Sequence, residues 1–301
     1  MDSAFEEFVN VSELNGREAA ALRAILQDAA VMELARLIAR TCFFPGGGAP
    51  PALDQDENTL SRAWFGAAFL SFEASRERYR QLRFPEAVWR ESMTDLKLWL
   101  RYTERNDGVI GIWRHPRDWQ IAIYRGEVTR HGRLECNTER HYNRETLFNE
   151  DGQPILEPGD PVINVHIPED GPMDMPSCGA SIKRMAAFFA QCRPGYDWKG
   201  ILCESWLLDR QLLPLLSETS NIARFQSLGR HYYIAPTDHT VWRIYGTKDP
   251  FSIAHPTSLQ RNVAQFMRDG GTFMAEGMFI PRRQIEAADY ELSRLCHLWR
   301  P

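Results

Sequence analysis

Pro161-Val-Ile-Asn-Val-His-Ile-Pro168 is a short apolar run bounded by prolines. Its length and its β-branched residues predict a buried strand rather than a helix. A turn-forming loop, Glu169 to Asp174, comes next, and recurring apolar residues then predict a helix from Met175 to Cys192. A second apolar run occupies residues 200–208. A strand, a loop, a helix and a strand in this order predict a βαβ unit whose two strands are parallel and adjacent.

Polar side chains cluster toward the carboxyl ends of these two predicted strands. They are Asn164 and His166 on the first strand, and Glu204 and Ser205 on the second. Open α/β sheets bind their ligands at this edge. The sequence therefore predicts that a functional site is built around these residues.

The composition is that of a folded protein without an obvious macromolecular target. The 301 residues are 44% hydrophobic and 25% charged, and the net charge of −5 predicts no affinity for nucleic acid. The acidic start does not resemble a signal peptide, and no apolar run reaches the roughly 20 residues that span a bilayer. The six cysteines are scattered without a CxxC pair, which predicts a cytoplasmic protein and no metal site.

Hydrophobic spacing divides the chain into two predicted domains, residues 1–107 and 108–301. The first is predicted to be helical, with helices from Asn15 to Arg40, from Ser61 to Leu82 and from Pro85 to Leu100. Their aromatic residues recur at helical spacing and are expected to form a core.

The second domain is predicted to be rich in short strands. We expect strands at 109–113, 119–125 and 133–136 before the βαβ unit, strands at 222–226, 232–234 and 240–245 after it, a helix capped by Thr257, and a last helix over 282–298. The fold class is thus α/β (α+β), a helical domain followed by a mixed sheet. This order resembles the GNAT N-acetyltransferase fold, in which two neighbouring strands splay apart and a pantetheine arm lies between them.

Several multi-residue blocks also resemble one family. They are Gly132-Arg-Leu134, Gly159 to Pro168, Ser205-Trp-Leu-Leu208, Ser220-Asn-Ile222 and Thr257-Ser-Leu-Gln-Arg261. These blocks look like those of bacterial acyltransferase domain-containing proteins, which join a helical N-acyltransferase N-terminal domain to a GNAT-like C-terminal domain. One position departs from the pattern, because Glu204 stands where the family is expected to have histidine.

The resemblance implies acyl transfer from an acyl-CoA (acetyl-CoA or longer) to a small-molecule amine that attacks directly. His166 or Glu204 is the candidate base for the amine proton. Ser205 is a candidate donor to the leaving thiolate, and Tyr245 a candidate general acid at the end of a late strand. Three of these residues have a structural alternative: for His166 and Ser205, bonds to the backbone, and for Glu204, a salt bridge such as one to Arg224.

The CoA site is expected at the loop and helix that follow the first strand of the βαβ unit. Helix starts bind phosphates through backbone N–H groups. The candidate cofactor-binding residues are Ile167, Gly171 and Asp174, with Lys183 and Arg184 supplying positive charge. The loop lacks the usual Gln/Arg-x-x-Gly-x-Gly/Ala signature of the fold, and its acids would repel a pyrophosphate.

Two other functions remain open from the sequence. The missing signature, the acidic loop and Glu204 are consistent with a catalytically silent ligand-binding or scaffold protein on the same fold. A hydrolase that uses Cys203 or Ser205 with His166 lacks the Gly-x-Ser-x-Gly elbow. A cysteine inside a Leu-rich strand is usually buried and inert.

Overall fold

The computed structural model describes residues 2–48, 53–142, 145–217, 219–245, 251, 253 and 255–287. The chain forms two compact units. The first consists of residues 1–137 with 168–170, and the second of residues 138–167 with 171–301. The predicted division between residues 107 and 108 rests on sequence pattern and stays a prediction.

The first unit is largely helical, as predicted. Its helices are α1 (Asp2–Val11), α2 (Gly16–Gln27), α3 (Ala29–Ile38), α4 (Glu57–Gln81), α5 (Glu86–Met93), α6 (Asp95–Asp107) and α7 (Arg117–Tyr124). The aromatic residues form its core, as expected: Phe8 packs edge-to-face on Phe72, and Phe72 packs on Trp89.

Two long helices predicted here are each interrupted. Asp28 ends α2 and caps α3 by accepting the N–H of Val31, so the predicted helix from Asn15 to Arg40 is two helices. Likewise, Thr94 separates α5 from α6. The helical spacing of apolar residues continues across a break of one residue, so this spacing alone does not reveal the break.

Most of the mixed sheet lies in the second unit. Strands β1 (Val128–His131) and β2 (Leu134–Arg140) form a hairpin that begins in the first unit, and β2 continues into the second. The remaining elements are β3 (Leu147–Phe148), β4 (Pro154–Leu156), β5 (Pro161–His166), α8 (Met175–Cys192), β6 (Gly200–Ser205), α9 (Asn221–Gln226), β7 (Arg230–Pro236), α10 (His239–Tyr245), α11 (Ser258–Arg268), β8 (Met274–Pro281) and α12 (Arg282–Ile285).

The strand order is β1-β2-β5-β6-β8-β7. Strands β5 and β6 are parallel and adjacent on either side of α8, which confirms the predicted βαβ unit. Strand β8 pairs antiparallel with both β6 and β7 and therefore lies between them. Strands β3 and β4 form a separate hairpin that packs its apolar side chains on the sheet.

Several predicted strands are wrong. Residues 119–125 lie largely in α7, 222–226 in α9 and 240–245 in α10, while 109–113 form no strand. Short apolar runs fit a helix or a strand equally well, and packing decides between them. Strand β8 was not predicted at all. Helix α12 begins at the predicted Arg282, but the predicted helix beyond residue 287 lies outside the described residues.

Within the described ranges, no helix is both long enough and apolar enough to cross a bilayer.

Candidate active site

The pairing of strands β5 and β6 stops before their carboxyl ends. They are paired at Ile163 with Ile201 and at Asn164 with Leu202. Beyond these pairs, β5 continues to His166 and β6 to Ser205. We call the space between these two unpaired ends the β5–β6 opening.

Alternation along the strands decides which side chains share a face of the sheet. Asn164 lies beside Leu202, so Asn164, His166 and Glu204 are on one face of the sheet at the opening. Cys203 is on the other face. Three of the four predicted polar residues thus share one face of the sheet, and Ser205, which alternates with Glu204, is on the other face.

Glu204 is exposed, and its carboxylate is held by a residue of another strand. The Tyr232 hydroxyl donates a hydrogen bond of 2.6 Å to Oε1 of Glu204. Glu204 is paired with Gly277 on β8, and Gly277 is paired with Tyr232 on β7, so the three residues form one row across the sheet. Burial, together with this bond to Glu204, raises the pKa of Tyr232, which therefore stays protonated.

Asn164 carries a second polar contact on the same face. Its Nδ2 donates to Oε2 of Glu139 at 2.5 Å. Its Oδ1 is buried and has no hydrogen-bond partner among the described residues. A buried acceptor without a donor costs free energy, so this atom is suited to a donor supplied by a ligand.

His166 is half-buried, and its burial lowers the pKa of the imidazole to about 4. The ring is therefore neutral at neutral pH, and it is a weak proton acceptor. Glu204, the other candidate base at the opening, has an exposed carboxylate that an amine can reach.

The two other candidates on β6, the Ser205 hydroxyl and the Cys203 thiol, are either used in a cap or buried. Ser205 Oγ accepts the N–H of Leu207 and so caps the short 3₁₀ turn at Trp206–Leu208. Cys203 is 1% exposed, and burial raises the pKa of its thiol to about 12. A buried protonated thiol is a poor nucleophile, which argues against the hydrolase reading.

The first turn of α8 is already occupied by its own cap. Asp174 Oδ1 accepts the N–H of Ser177, and its carbonyl accepts the N–H of Cys178. Pro176 has no N–H to donate. This turn therefore offers an anion fewer free N–H groups than was expected for the start of this helix.

The other cofactor candidates lie around this turn. Ile167 directly follows β5, Gly171 is exposed in the loop, and Lys183 and Arg184 are exposed on the third turn of α8. Asp170, one of the acids expected to repel a phosphate, belongs to the first unit and forms ion pairs with Arg130 and Arg133.

The expectation that Tyr245 lies at the end of a strand is wrong. It is the last residue of α10, and its hydroxyl donates to the carbonyl of Gln260. Its side chain belongs to an apolar cluster with Val241 and Phe273, separate from the cluster that contains Tyr232. Sequence reasoning missed Tyr232 and Gly277, because only the pairing of β7 and β8 places them beside Glu204.

No group of three or more His, Cys, Asp or Glu side chains within the described ranges is arranged to hold a metal ion.

Comparison with known proteins identifies the family. The model of the GNAT-like C-terminal domain matches residues 128–279. The chain belongs to this family. The GNAT-like match covers β1 to β8 almost completely, and thus both strands of the β5–β6 opening.

Solved structures share the fold over most of the chain. A crystal structure of an acyltransferase in complex with decanoyl-CoA has a TM-score of 0.70 at 21% identity, covering 93% of this chain and 88% of that chain. A structure of an acyltransferase with decanoyl-CoA and teicoplanin has a TM-score of 0.67 at 21% identity, covering 92% and 87%. A variant acyltransferase with octanoyl-CoA has a TM-score of 0.68 at 21% identity, covering 93% and 88%. No curated protein sequence matches the chain.

Proposed function

We propose that this GNAT-like protein transfers an acyl group from an acyl-CoA to the amine of a small molecule. The main support is the β5–β6 opening, where the pairing of two parallel strands stops before their carboxyl ends. An amide-bearing arm such as pantetheine can pair with such a strand edge, and the buried Oδ1 of Asn164 is an acceptor for one of its N–H groups. Acyltransferases of the same fold have been crystallised with decanoyl-CoA and octanoyl-CoA.

The reaction needs one proton to leave the attacking amine. The amine nitrogen bonds to the thioester carbon, the carbon–sulfur bond breaks, and the products are an amide and CoA. We assign Glu204 as the base that takes the amine proton, because its carboxylate is exposed at the opening, where an amine can reach it, and is held there by the Tyr232 hydroxyl. The thiolate of CoA is then protonated by solvent, and Glu204 returns the amine proton to solvent.

The phosphate groups of CoA would lie beyond the first turn of α8. Asp174 and Pro176 leave that turn few donors, so we assign the positive charge for these phosphates to Lys183 and Arg184. Ile167 and Gly171 would contact the arm between the opening and the helix.

The Asp174 cap of α8 also supports the second candidate function, that of a catalytically silent binding protein. A carboxylate at the start of α8 competes with a pyrophosphate for the same N–H groups, which weakens CoA binding in comparison with an uncapped helix. In this alternative, Glu204 would contact a ligand without moving a proton.

Two measurements separate the candidates. The first is the shift in melting temperature with CoA, acetyl-CoA and decanoyl-CoA, and the second is release of free thiol from the acyl-CoA that binds best, over a panel of amines. Binding with thiol release supports the enzyme, and binding without release supports the silent protein. Absence of binding contradicts both.

A pair of variants tests the role of Glu204. Glu204→Gln is expected to lower the rate of thiol release by at least about a hundredfold, while binding of acyl-CoA is kept. Glu157→Gln, at an exposed acid of the same unit, is the matched control and should leave the rate unchanged. A folded Glu204→Gln protein with the normal rate would remove Glu204 from the mechanism.

A further inference from the structure

We propose that Tyr232 and Gly277 act together to position the Glu204 carboxylate, an inference that rests on the acyl transfer proposed above. Glu204, Gly277 and Tyr232 lie in one row across β6, β8 and β7. The tyrosine must cross the middle strand to reach the carboxylate, and it does so at the residue that has no side chain.

The space above Gly277 is filled by the tyrosine ring. A Cβ atom added at Gly277 would lie 2.0 Å from Cζ and 2.3 Å from the hydroxyl oxygen of Tyr232. Gly277 does not adopt a positive φ, so its backbone conformation is open to any residue. The glycine is therefore required here for the passage of the ring rather than for a turn.

The ring itself is held in place. Tyr232 is 4% exposed and packs with Leu202 and Phe279. The His141 ring packs edge-to-face on it at a centroid distance of 5.6 Å. Because the ring is fixed, its hydroxyl lies at a defined point and holds one oxygen of an otherwise exposed side chain.

This arrangement has a chemical consequence for a base. A glutamate exposed at a strand end samples several rotamers, and only some of them reach an attacking amine. With Oε1 bound to Tyr232, the carboxylate keeps one orientation, and its second oxygen remains able to accept a proton.

The test compares Tyr232→Phe with the wild type. The variant keeps the ring and removes the hydroxyl, so its melting temperature should change little. We expect kcat to fall about tenfold while KM for the acyl-CoA stays within about twofold, because the bound substrate is unchanged and only the base is disordered.

Gly277→Ala tests the second half of the inference. Its methyl group must displace the tyrosine ring, so kcat should fall at least as far as in Tyr232→Phe. Gly195→Ala is the matched control, because a Cβ at Gly195 meets nothing within 4 Å. Tyr233→Phe is the control for the hydroxyl, since Tyr233 is 48% exposed and its side chain is on the opposite face.

A measurement that needs no turnover separates this inference from the proposed function. In protein labelled with ¹³C at the glutamate carboxyls, the Glu204 resonance is assigned by its loss in Glu204→Gln, and its chemical shift is compared between the variants at one pH. This chemical shift should change in Tyr232→Phe and in Gly277→Ala, because both variants break the hydrogen bond from the Tyr232 hydroxyl. An unchanged chemical shift and an unchanged kcat in the folded Tyr232→Phe protein would overturn the inference, even if acyl transfer itself is established. Conversely, a changed chemical shift in a protein without turnover would support the positioning and reject the enzyme.

Discussion

A buried pair of acids in the first unit makes the stability of this protein depend on pH. Asp95 and Glu135 are each 2% exposed. Their carboxyl groups are hydrogen-bonded to each other, and Gln120 donates to Asp95 Oδ2 at 2.6 Å. Burial raises the pKa of Asp95 to about 6, and burial together with the Asp95 charge raises the pKa of Glu135. The pair therefore retains a proton at pH values where the unfolded chain has lost it.

The sign and size of the effect follow from this difference. The folded state binds more protons than the unfolded state above the ordinary pKa of 3.8, so stability falls as pH rises. For Asp95 the loss extends from about pH 4 to pH 6 and amounts to about 3 kcal/mol, at about 1.4 kcal/mol for each unit of pKa shift. The raised pKa of Glu135 extends the loss to higher pH.

The substitution Glu135→Gln tests whether the Asp95–Glu135 pair causes this pH dependence. The amide still donates a hydrogen bond to Asp95, but it carries no titrating proton, so the unfolding free energy should depend less steeply on pH than in the wild type. Urea unfolding at half-unit steps between pH 4 and pH 8 measures this slope. Glu33→Gln, at an exposed acid of the same unit, should leave the slope unchanged. Equal slopes for the wild type and Glu135→Gln would refute the shared proton.

Two further predictions concern the second unit. Asp174→Ala should lower the free energy of unfolding, measured in urea, by about 1 kcal/mol, because it removes the cap of α8. Asp174→Asn should retain most of that stability and bind CoA more tightly, because the amide carries no negative charge. Equal CoA affinity in Asp174→Asn and the wild type would refute competition by the carboxylate. A maleimide should modify the half-buried Cys192 well before Cys203, because burial raises the pKa of the Cys203 thiol to about 12. Peptide mapping that finds Cys203 modified as fast as Cys192 would show that Cys203 is not protected by burial.

The βαβ unit could be predicted from the sequence because its signals are local. The prolines around β5, the turn residues before α8 and the apolar period of α8 each act within a few residues, and the structure places α8 at Met175–Cys192 as predicted. The helical character of residues 57–81 and the cap at Thr257 were predictable for the same reason. The polar ends of β5 and β6 followed from the parallel pairing of the two strands.

Other elements depended on contacts that no local pattern reveals. Residues 117–124 contain the β-branched and aromatic residues typical of a strand, yet they form a helix whose Tyr124 packs on Phe43. Strand β8 contains glycine and alanine, which weaken the strand signal, but it has partners on both sides and is thereby stabilised.

The sequence by itself determined the helical character of the N-terminal region, the βαβ unit and the position of Glu204 at the end of a strand. Only the tertiary structure decided what Glu204 touches. Strand β8 inserts between β6 and β7 and brings Gly277 and Tyr232 into its row, although they come from distant parts of the chain. The reason is physical: hydrogen-bond register between strands sets cross-strand neighbours, and register depends on the packing of the whole sheet rather than on the spacing of residues along the sequence.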